Sequence, residues 1–142
     1  AFLMLPFSVK IIETPDVVVV LDHLLLAEAD VTVGLKPGGL VVLNTPKTDK
    51  AYDFDGMRLA TADVTTLAVE AGLPQGVVNS GILGSVCRAL ELFPLDLILA
   101  EIEAEFETKK PQANSTAAKI AYEKTVVNGR PPSKSTRRGG KT

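Results

Sequence analysis

The chain is poor in the residues that form metal sites and disulfides. It has 142 residues, with one Cys and one His. A single Cys cannot form an internal disulfide or a four-ligand zinc site, and a single His leaves no His-rich metal cluster to consider. The composition therefore favours a metal-free domain. Because stable disulfides belong to oxidising compartments and this chain can form none internally, we also expect a cytoplasmic location.

Long apolar runs are also missing. No uncharged stretch approaches the roughly 20 apolar residues that a membrane helix requires, so we expect no membrane partner. The first twelve residues are apolar, but no basic region precedes them and no small-residue cleavage pattern follows, which argues against a signal peptide. Since the chain begins without Met inside an apolar run, we expect a processed product or a piece of a longer protein.

Basic residues are scarce outside the C-terminal end. The formal net charge is −2, with 15 Lys and Arg against 17 Asp and Glu. The last fifteen residues hold 5 of the basic residues and no acid, so the rest of the chain has a charge of −7. Such a body repels a phosphate backbone, which disfavours nucleic acid as a ligand. We expect one domain over 1–127 and a basic flexible tail over 128–142, which has no apolar residue to bury.

Hydrophobic patterning in the first half predicts parallel strands. Asp16–Asp22 is typical of a strand buried on both faces, Leu40–Asn44 of a second strand and Met57–Ala60 of a weaker third. The stretch from Asp22 to Val33 is long enough for a short crossover helix, and a Gly- and Pro-rich turn precedes the second strand. These features indicate an α/β fold, a Rossmann-like three-layer domain with a mainly parallel sheet.

The second half has the spacing and punctuation of helices. Four are predicted: one from an Asp63 N-cap to Gly72, one over about 76–90, one from Pro94, and one from near Asn114 to near the Asn128-Gly129 pair. The second of them is apolar on all sides with small residues interleaved, which indicates a buried helix that its neighbours approach closely. The C-terminal half is therefore expected to be helix-rich.

Candidate ligand groups lie at the ends of the predicted strands. His23 follows the first strand directly after Asp22, and Asn44 and Thr45 end the second, where open α/β sheets place their ligands. For His23 the favoured interpretation is an ordinary residue at a helix start, whereas Asn44 and Thr45 are equally well explained as turn formers or as ligand groups. Cys87 lies on an apolar helical face, which is typical of an inert thiol. No nucleophile, base and oxyanion donor assemble, so we predict no catalytic residue and no metal site.

Four segments carry a resemblance to a known family. In order, they are TPDVVVVLDHLL, GLKPGGLVVLNTPK, ATADVTTLAVEAGLPQGVVNSGILGSV and NSTAAKIAYE. They resemble the gamma-type chain of 2-oxoacid:ferredoxin oxidoreductases, of which pyruvate synthase is the best-known member. The resemblance spans about Val9 to Tyr122, and VVNSGILGS is its most specific part. The family's opening GxGGxG turn has no counterpart before Ala1, so we expect an N-terminally truncated gamma-type domain.

The resemblance implies an accessory subunit of an enzyme that is not catalytic alone. It implies oxidative decarboxylation of pyruvate or a related 2-oxoacid to its acyl-CoA, with electrons passed to ferredoxin. It also implies alpha, beta and delta type partner subunits that hold thiamine diphosphate, Mg and 4Fe-4S clusters, with no cofactor bound by this chain alone and coenzyme A as a substrate. We predict Asn44, Thr45 and Asn79 as cofactor-binding residues, the last from the VNS of the most specific segment.

Two other interpretations stay open at this point. An LKPGG turn also enters a late strand of S-adenosylmethionine-dependent methyltransferases, although those enzymes continue with further strands where this chain has helical segments. The second is a non-enzymatic protein-interaction domain, in which the acidic body and the basic tail serve only to bind other proteins, and the expected truncated start favours it. This interpretation overlaps with that of an accessory gamma-type subunit, and the two separate on whether turnover of a 2-oxoacid and coenzyme A depends on the chain.

Overall fold

A five-stranded sheet forms the centre of the computed structural model, which describes residues 2–5, 17–91 and 93–129. The strands are β1 (Phe2–Leu5), β2 (Val17–Val20), β3 (Leu40–Asn44), β4 (Arg58–Ala62) and β5 (Val126–Asn128). They lie side by side in that order, with β1 to β4 parallel and β5 antiparallel to β4. The predicted mainly parallel sheet is confirmed.

The central strands are buried on both faces, as their valine-rich sequences predict. Every residue of β2 and β3 is buried, and Val18 pairs with Val41 in the parallel register. Alternate residues therefore contribute to two apolar clusters, one on each side of the sheet. One cluster includes helical residues such as Ile82 and Ala121, while the other includes Val31 and Leu35 from the β2–β3 connection.

Four helices follow β4, in agreement with the helix-rich second half. They are α1 (Val64–Glu70), α2 (Asn79–Leu90), α3 (Leu95–Glu105) and α4 (Pro111–Lys124). Helix α2 packs on β3 and β4, and α4 packs against the other three helices. Among the described residues, none of these helices is long and apolar enough to cross a membrane.

Helices α2 and α4 approach each other closely through small residues. Gly81 and Gly84 of α2 are buried, and Ala117 and Ala118 of α4 have no exposed surface. A side chain on Gly84 would collide with the backbone of α4, because its Cβ would lie 1.9 Å from the carbonyl oxygen of Ala118. The prediction of a buried α2 with close neighbours is confirmed.

The expected crossover helix over 22–33 is wrong in type and length. The structure has a 3-10 helix at His23–Ala27, followed by turns. Beyond the end of this helix, the Asp30 Oδ1 accepts hydrogen bonds from the Thr32 N–H at 2.9 Å and from the Thr32 hydroxyl at 2.6 Å. Such local side-chain bonds compete with the helical hydrogen-bond pattern. The second face of the sheet is therefore covered by a 3-10 helix and loops.

The end of the fourth helix also differs from the prediction. Helix α4 begins at Pro111, whose fixed φ suits a first helical turn, and it ends at Lys124 rather than near Asn128. Thr125 is extended, with its hydroxyl bonded to the carbonyl of Ala121 at 2.5 Å, and the β-branched residues after it form β5. Asn128 thus belongs to the sheet, and 130–142 of the predicted tail lie outside the described residues.

Asp63 caps α1 as predicted, and its removal gives a direct test of this part of the fold. Its Oδ1 accepts from the Thr66 N–H at 3.2 Å and its Oδ2 from the Thr66 hydroxyl at 2.8 Å. We expect Asp63→Ala to lower the free energy of unfolding by about 1 kcal/mol, as for other N-cap removals. Urea unfolding followed by circular dichroism measures the change. The exposed Asp53→Ala is the control, and an equal loss in both variants would contradict the capping role.

Candidate functional site

A polar cavity opens at the carboxyl ends of β2, β3 and β4. It has a volume of about 800 Å³. Asp22 and His23 line it after β2, Asn44 at the end of β3, and Asp63 directly after β4. The segment 75–79, which leads into α2, closes the opposite side. This position agrees with the predicted crevice, since parallel α/β sheets bind ligands beyond the carboxyl ends of their strands.

Asn44 lies under this cavity with its side chain fully engaged. It is 5% exposed. Its Nδ2 donates to the carbonyl of Leu21 at 3.0 Å and to the Thr65 hydroxyl at 2.9 Å. Its Oδ1 accepts from the N–H groups of Val64 at 2.8 Å and Thr65 at 3.3 Å. These four bonds use the two donors and two acceptor positions of an amide and join the ends of β2 and β3 to the start of α1.

Asn79 is the predicted site residue with a free amide. It is the first residue of α2, it is exposed, and it lines the cavity. Gln75 lies in the same wall and is also exposed. Neither side chain hydrogen-bonds to another residue within the described part of the chain. Their amides are therefore available both to donate to a ligand and to accept from it.

Thr45 is separated from the cavity despite its position next to Asn44. It is 1% exposed, and its hydroxyl lies 2.5 Å from the hydroxyl of Tyr52 and accepts from the Lys47 N–H at 3.1 Å. The side chains of successive residues in an extended chain point to opposite faces of the sheet, which explains why Asn44 and Thr45 lie on different faces. The structure thus brings Asn44 and Asn79 to one cavity and leaves Thr45 on the other face.

The charge of the cavity is negative. Asp22 and Asp63 contribute carboxylates, and neither Lys nor Arg is among the described residues that line it. The Asp22 Oδ1 also accepts from the Leu24 N–H at 2.9 Å, which caps the 3-10 helix and fixes the position of the half-buried His23. A cavity of this kind suits neutral amide, hydroxyl or ring groups better than phosphate groups.

Cys87 lies elsewhere, between α2 and α3. Its side chain is buried, its thiol donates to the Phe93 carbonyl at 3.4 Å, and burial raises the pKa of the thiol. A raised pKa disfavours the reactive thiolate, in keeping with the predicted inert thiol. In the part of the chain that the structure describes, no group of three or more His, Cys, Asp or Glu side chains is placed to hold a metal ion.

Sequence reasoning missed Gln75, Asp63 and the Thr65 and Thr66 hydroxyls as cavity residues. In the sequence, Asp63 and the two threonines indicate only the start of a helix. Their place in the cavity depends on the tertiary approach of α1 and the 75–79 segment, which local sequence does not show. A signal for Gln75 was present in the Pro74-Gln75-Gly76 turn before α2, since turns beyond a sheet's carboxyl edge often contact ligands. Together the fold and the cavity define a parallel α/β domain with a polar crevice at the carboxyl edge of its sheet.

Comparison with known proteins shows the family. Residues 8–124 match the model of the pyruvate ferredoxin/flavodoxin oxidoreductase family. The common gamma subunit of the pyruvate/ketoisovalerate oxidoreductases of Thermococcus litoralis is 41% identical over 128 residues, which cover 86% of this chain and 68% of that subunit. The pyruvate synthase subunit PorC of Methanothermobacter marburgensis is 37% identical over 81% of this chain and 63% of its own length.

A solved structure agrees with these sequence matches. The pyruvate oxidoreductase subunit PORC of Thermotoga maritima superposes with a TM-score of 0.70 and 30% identity over 83% of this chain and 67% of that subunit. The chain belongs to the pyruvate ferredoxin/flavodoxin oxidoreductase family. The resemblance seen in the sequence is therefore confirmed, and the methyltransferase alternative is not supported.

Proposed function

We propose that the chain is the gamma-type subunit of an oxidoreductase that decarboxylates pyruvate or a related 2-oxoacid to its acyl-CoA and passes electrons to ferredoxin. The observation that carries this proposal is the match to gamma and PorC subunits over most of the chain, at 34% to 42% identity. The relatives' names include both pyruvate and ketoisovalerate as substrates. In this proposal the chain acts as an accessory subunit, and the reaction takes place on its partner subunits.

The catalytic cofactors belong to partner subunits in this proposal. A 4Fe-4S cluster needs four thiolates, and this chain has one Cys. Thiamine diphosphate with its Mg ion, the iron-sulfur clusters and the ferredoxin contact are therefore assigned to the alpha, beta and delta type subunits. Thiamine supplies the carbanion chemistry, and protein chains position the reactants around it.

The crevice at the sheet edge fits one part of coenzyme A. Its two carboxylates repel the phosphate groups of that molecule, whereas the exposed amides of Asn79 and Gln75 match the amide groups of its pantetheine arm. We therefore propose that Asn79 binds the neutral arm of coenzyme A, with Asn44 holding the crevice in shape. The phosphates then bind outside this crevice.

Replacing Asn79 tests the assignment of coenzyme A. Because Asn79→Ala removes neutral hydrogen bonds worth about 1 kcal/mol, we expect a roughly fivefold rise in the KM for coenzyme A of the assembled complex. The KM for the 2-oxoacid should not change, since the 2-oxoacid reacts on the thiamine subunit. Gln112→Ala, an exposed amide on α4 away from the cavity, is the matched control. An unchanged KM for coenzyme A in Asn79→Ala would rule out this role.

Purification tests the function as a whole. We expect the tagged chain, isolated from its host without oxygen, to bring larger subunits with thiamine diphosphate and iron-sulfur absorbance. That complex should reduce ferredoxin when given a 2-oxoacid and coenzyme A. A chain that isolates alone, or a complex without this activity, would contradict the proposed function and favour a non-enzymatic interaction domain.

A further inference from the structure

An apolar groove runs between α2 and α3 on the outer surface of the helices. It has a volume of about 350 Å³ and shares no described residue with the polar cavity. Its principal apolar side chains are Leu83, Val86, Leu90, Phe93, Ile98 and Ile102. Phe93 is 57% exposed and Leu83 is 40% exposed, although side chains of these types are usually buried. We call this surface the α2–α3 groove.

Two unpaired carboxylates lie along one border of the α2–α3 groove. Glu101 and Glu105 are four residues apart on α3, so they lie on the same face of that helix. Both are exposed, and neither forms a hydrogen bond or ion pair with another residue of the described ranges. Negative charge beside an apolar floor is complementary to a helix with apolar residues on one face and Lys or Arg beside them.

We propose that the α2–α3 groove is the docking surface for a basic amphipathic helix of another subunit of the complex. This inference rests on the proposed function, which requires partner subunits. It adds the position of one contact, the chemistry of the partner segment and the residues of this chain that recognise it. Apolar contacts to Phe93 and Leu83 supply affinity, and Glu101 and Glu105 fix the orientation of the partner helix.

Two other occupants fit the groove less well. A second copy bound about a twofold axis would place the same acidic surface against itself, so it offers no positive charge to complement Glu101 and Glu105. The basic segment 130–142 of this chain has the right charge but no apolar residue to fill the groove. A partner segment that combines both properties fits the groove better than either.

The test compares binding of the full chain to the remaining subunits of its complex, immobilised without oxygen. We expect the double charge reversal E101K/E105K to raise the dissociation constant about thirtyfold at low salt, an effect comparable to the loss of one strong interface residue. Phe93→Ala should raise it about tenfold. The control E70K/E123K reverses two exposed Glu residues outside the groove, and Val33→Ala truncates a side chain that is 75% exposed. Both controls should bind within twofold of the unmodified chain.

Each outcome separates this inference from the proposed function. If the unmodified chain binds no oxidoreductase subunit, the proposed function fails. If it binds and the groove variants bind like their controls, with unchanged circular dichroism, only the groove assignment fails. Self-association in ultracentrifugation that Phe93→Ala abolishes would instead identify a second copy as the occupant. Cys87 also lines the groove, so faster labelling of its thiol after deletion of 130–142 would identify the chain's own segment as the occupant. Either result overturns the proposal.

Discussion

Replacing Gly84 with alanine is expected to lower the free energy of unfolding by about 3 kcal/mol, the upper range for overpacking a buried site. The added Cβ would lie 1.9 Å from the Ala118 carbonyl oxygen and 2.7 Å from its carbonyl carbon. These are backbone atoms inside α4, so no side-chain rotation relieves the collision. In an exposed helix the same change is favourable by about 1 kcal/mol, which makes the sign of the effect diagnostic. Urea unfolding with an unchanged m-value measures it.

Gly81, one turn before Gly84 in α2, provides the matched comparison. A Cβ there would lie 2.5 Å from Cγ1 of Val64, a side-chain atom. We expect Gly81→Ala to cost about 1 kcal/mol, because small adjustments of a side chain relieve part of the overlap. In a Val64→Ala background the cost of Gly81→Ala should fall, while the cost of Gly84→Ala should stay the same. A neutral or stabilising Gly84→Ala would show that α2 and α4 do not cross this closely.

The sequence was sufficient to predict the parts of the fold that depend on burial. Val17–Val20 and residues 40–43 are continuous apolar runs, which are typical of strands buried on both faces. The small residues of α2 indicated its close neighbour. β1 and β5 could not be predicted in the same way. Val126–Asn128 has three residues and becomes a strand only because β4 offers an open edge beside it. The local sequence pattern does not show which strand edge will be available for pairing.

The site was predictable in place but not in detail. His23 follows β2 and Asn44 ends β3, and a parallel sheet brings the ends of its strands to one edge, so their meeting follows from the order of the elements. The side of the chain on which each residue lies depends on the register. Asn44 faces the cavity while Thr45 contacts Tyr52, a difference that a one-residue shift would reverse. The role of Asn44, Thr45 and Asn79 in cofactor binding stays a prediction.

Asn44→Ala is expected to lower the free energy of unfolding by about 3 kcal/mol. The alanine leaves the Val64 N–H and the Leu21 carbonyl without their partners, and an unsatisfied buried polar group costs about 1 to 3 kcal/mol. The loss should also loosen the junction between the strand ends and α1. Urea unfolding at pH 7 checks the magnitude, and a loss below that of Asp63→Ala would contradict the junction role of Asn44.

Asn44→Asp tests the donor role of the Asn44 amide separately from its acceptor role. The carboxylate still accepts from the Val64 N–H, but its second oxygen replaces the donor to the Leu21 carbonyl and places two acceptors together. A protonated carboxyl restores that donor. The N–H groups of Val64 and Thr65 favour the charged form, whereas burial and the facing Leu21 carbonyl disfavour it, and we expect the latter two to prevail and to raise the pKa of the introduced group above its unfolded value of about 3.9. The folded variant then binds more protons, and its stability relative to the unmodified chain falls as pH rises above that value. We expect a smaller deficit at pH 4 than at pH 7, and a deficit independent of pH would show that the Leu21 carbonyl does not need a donor from residue 44.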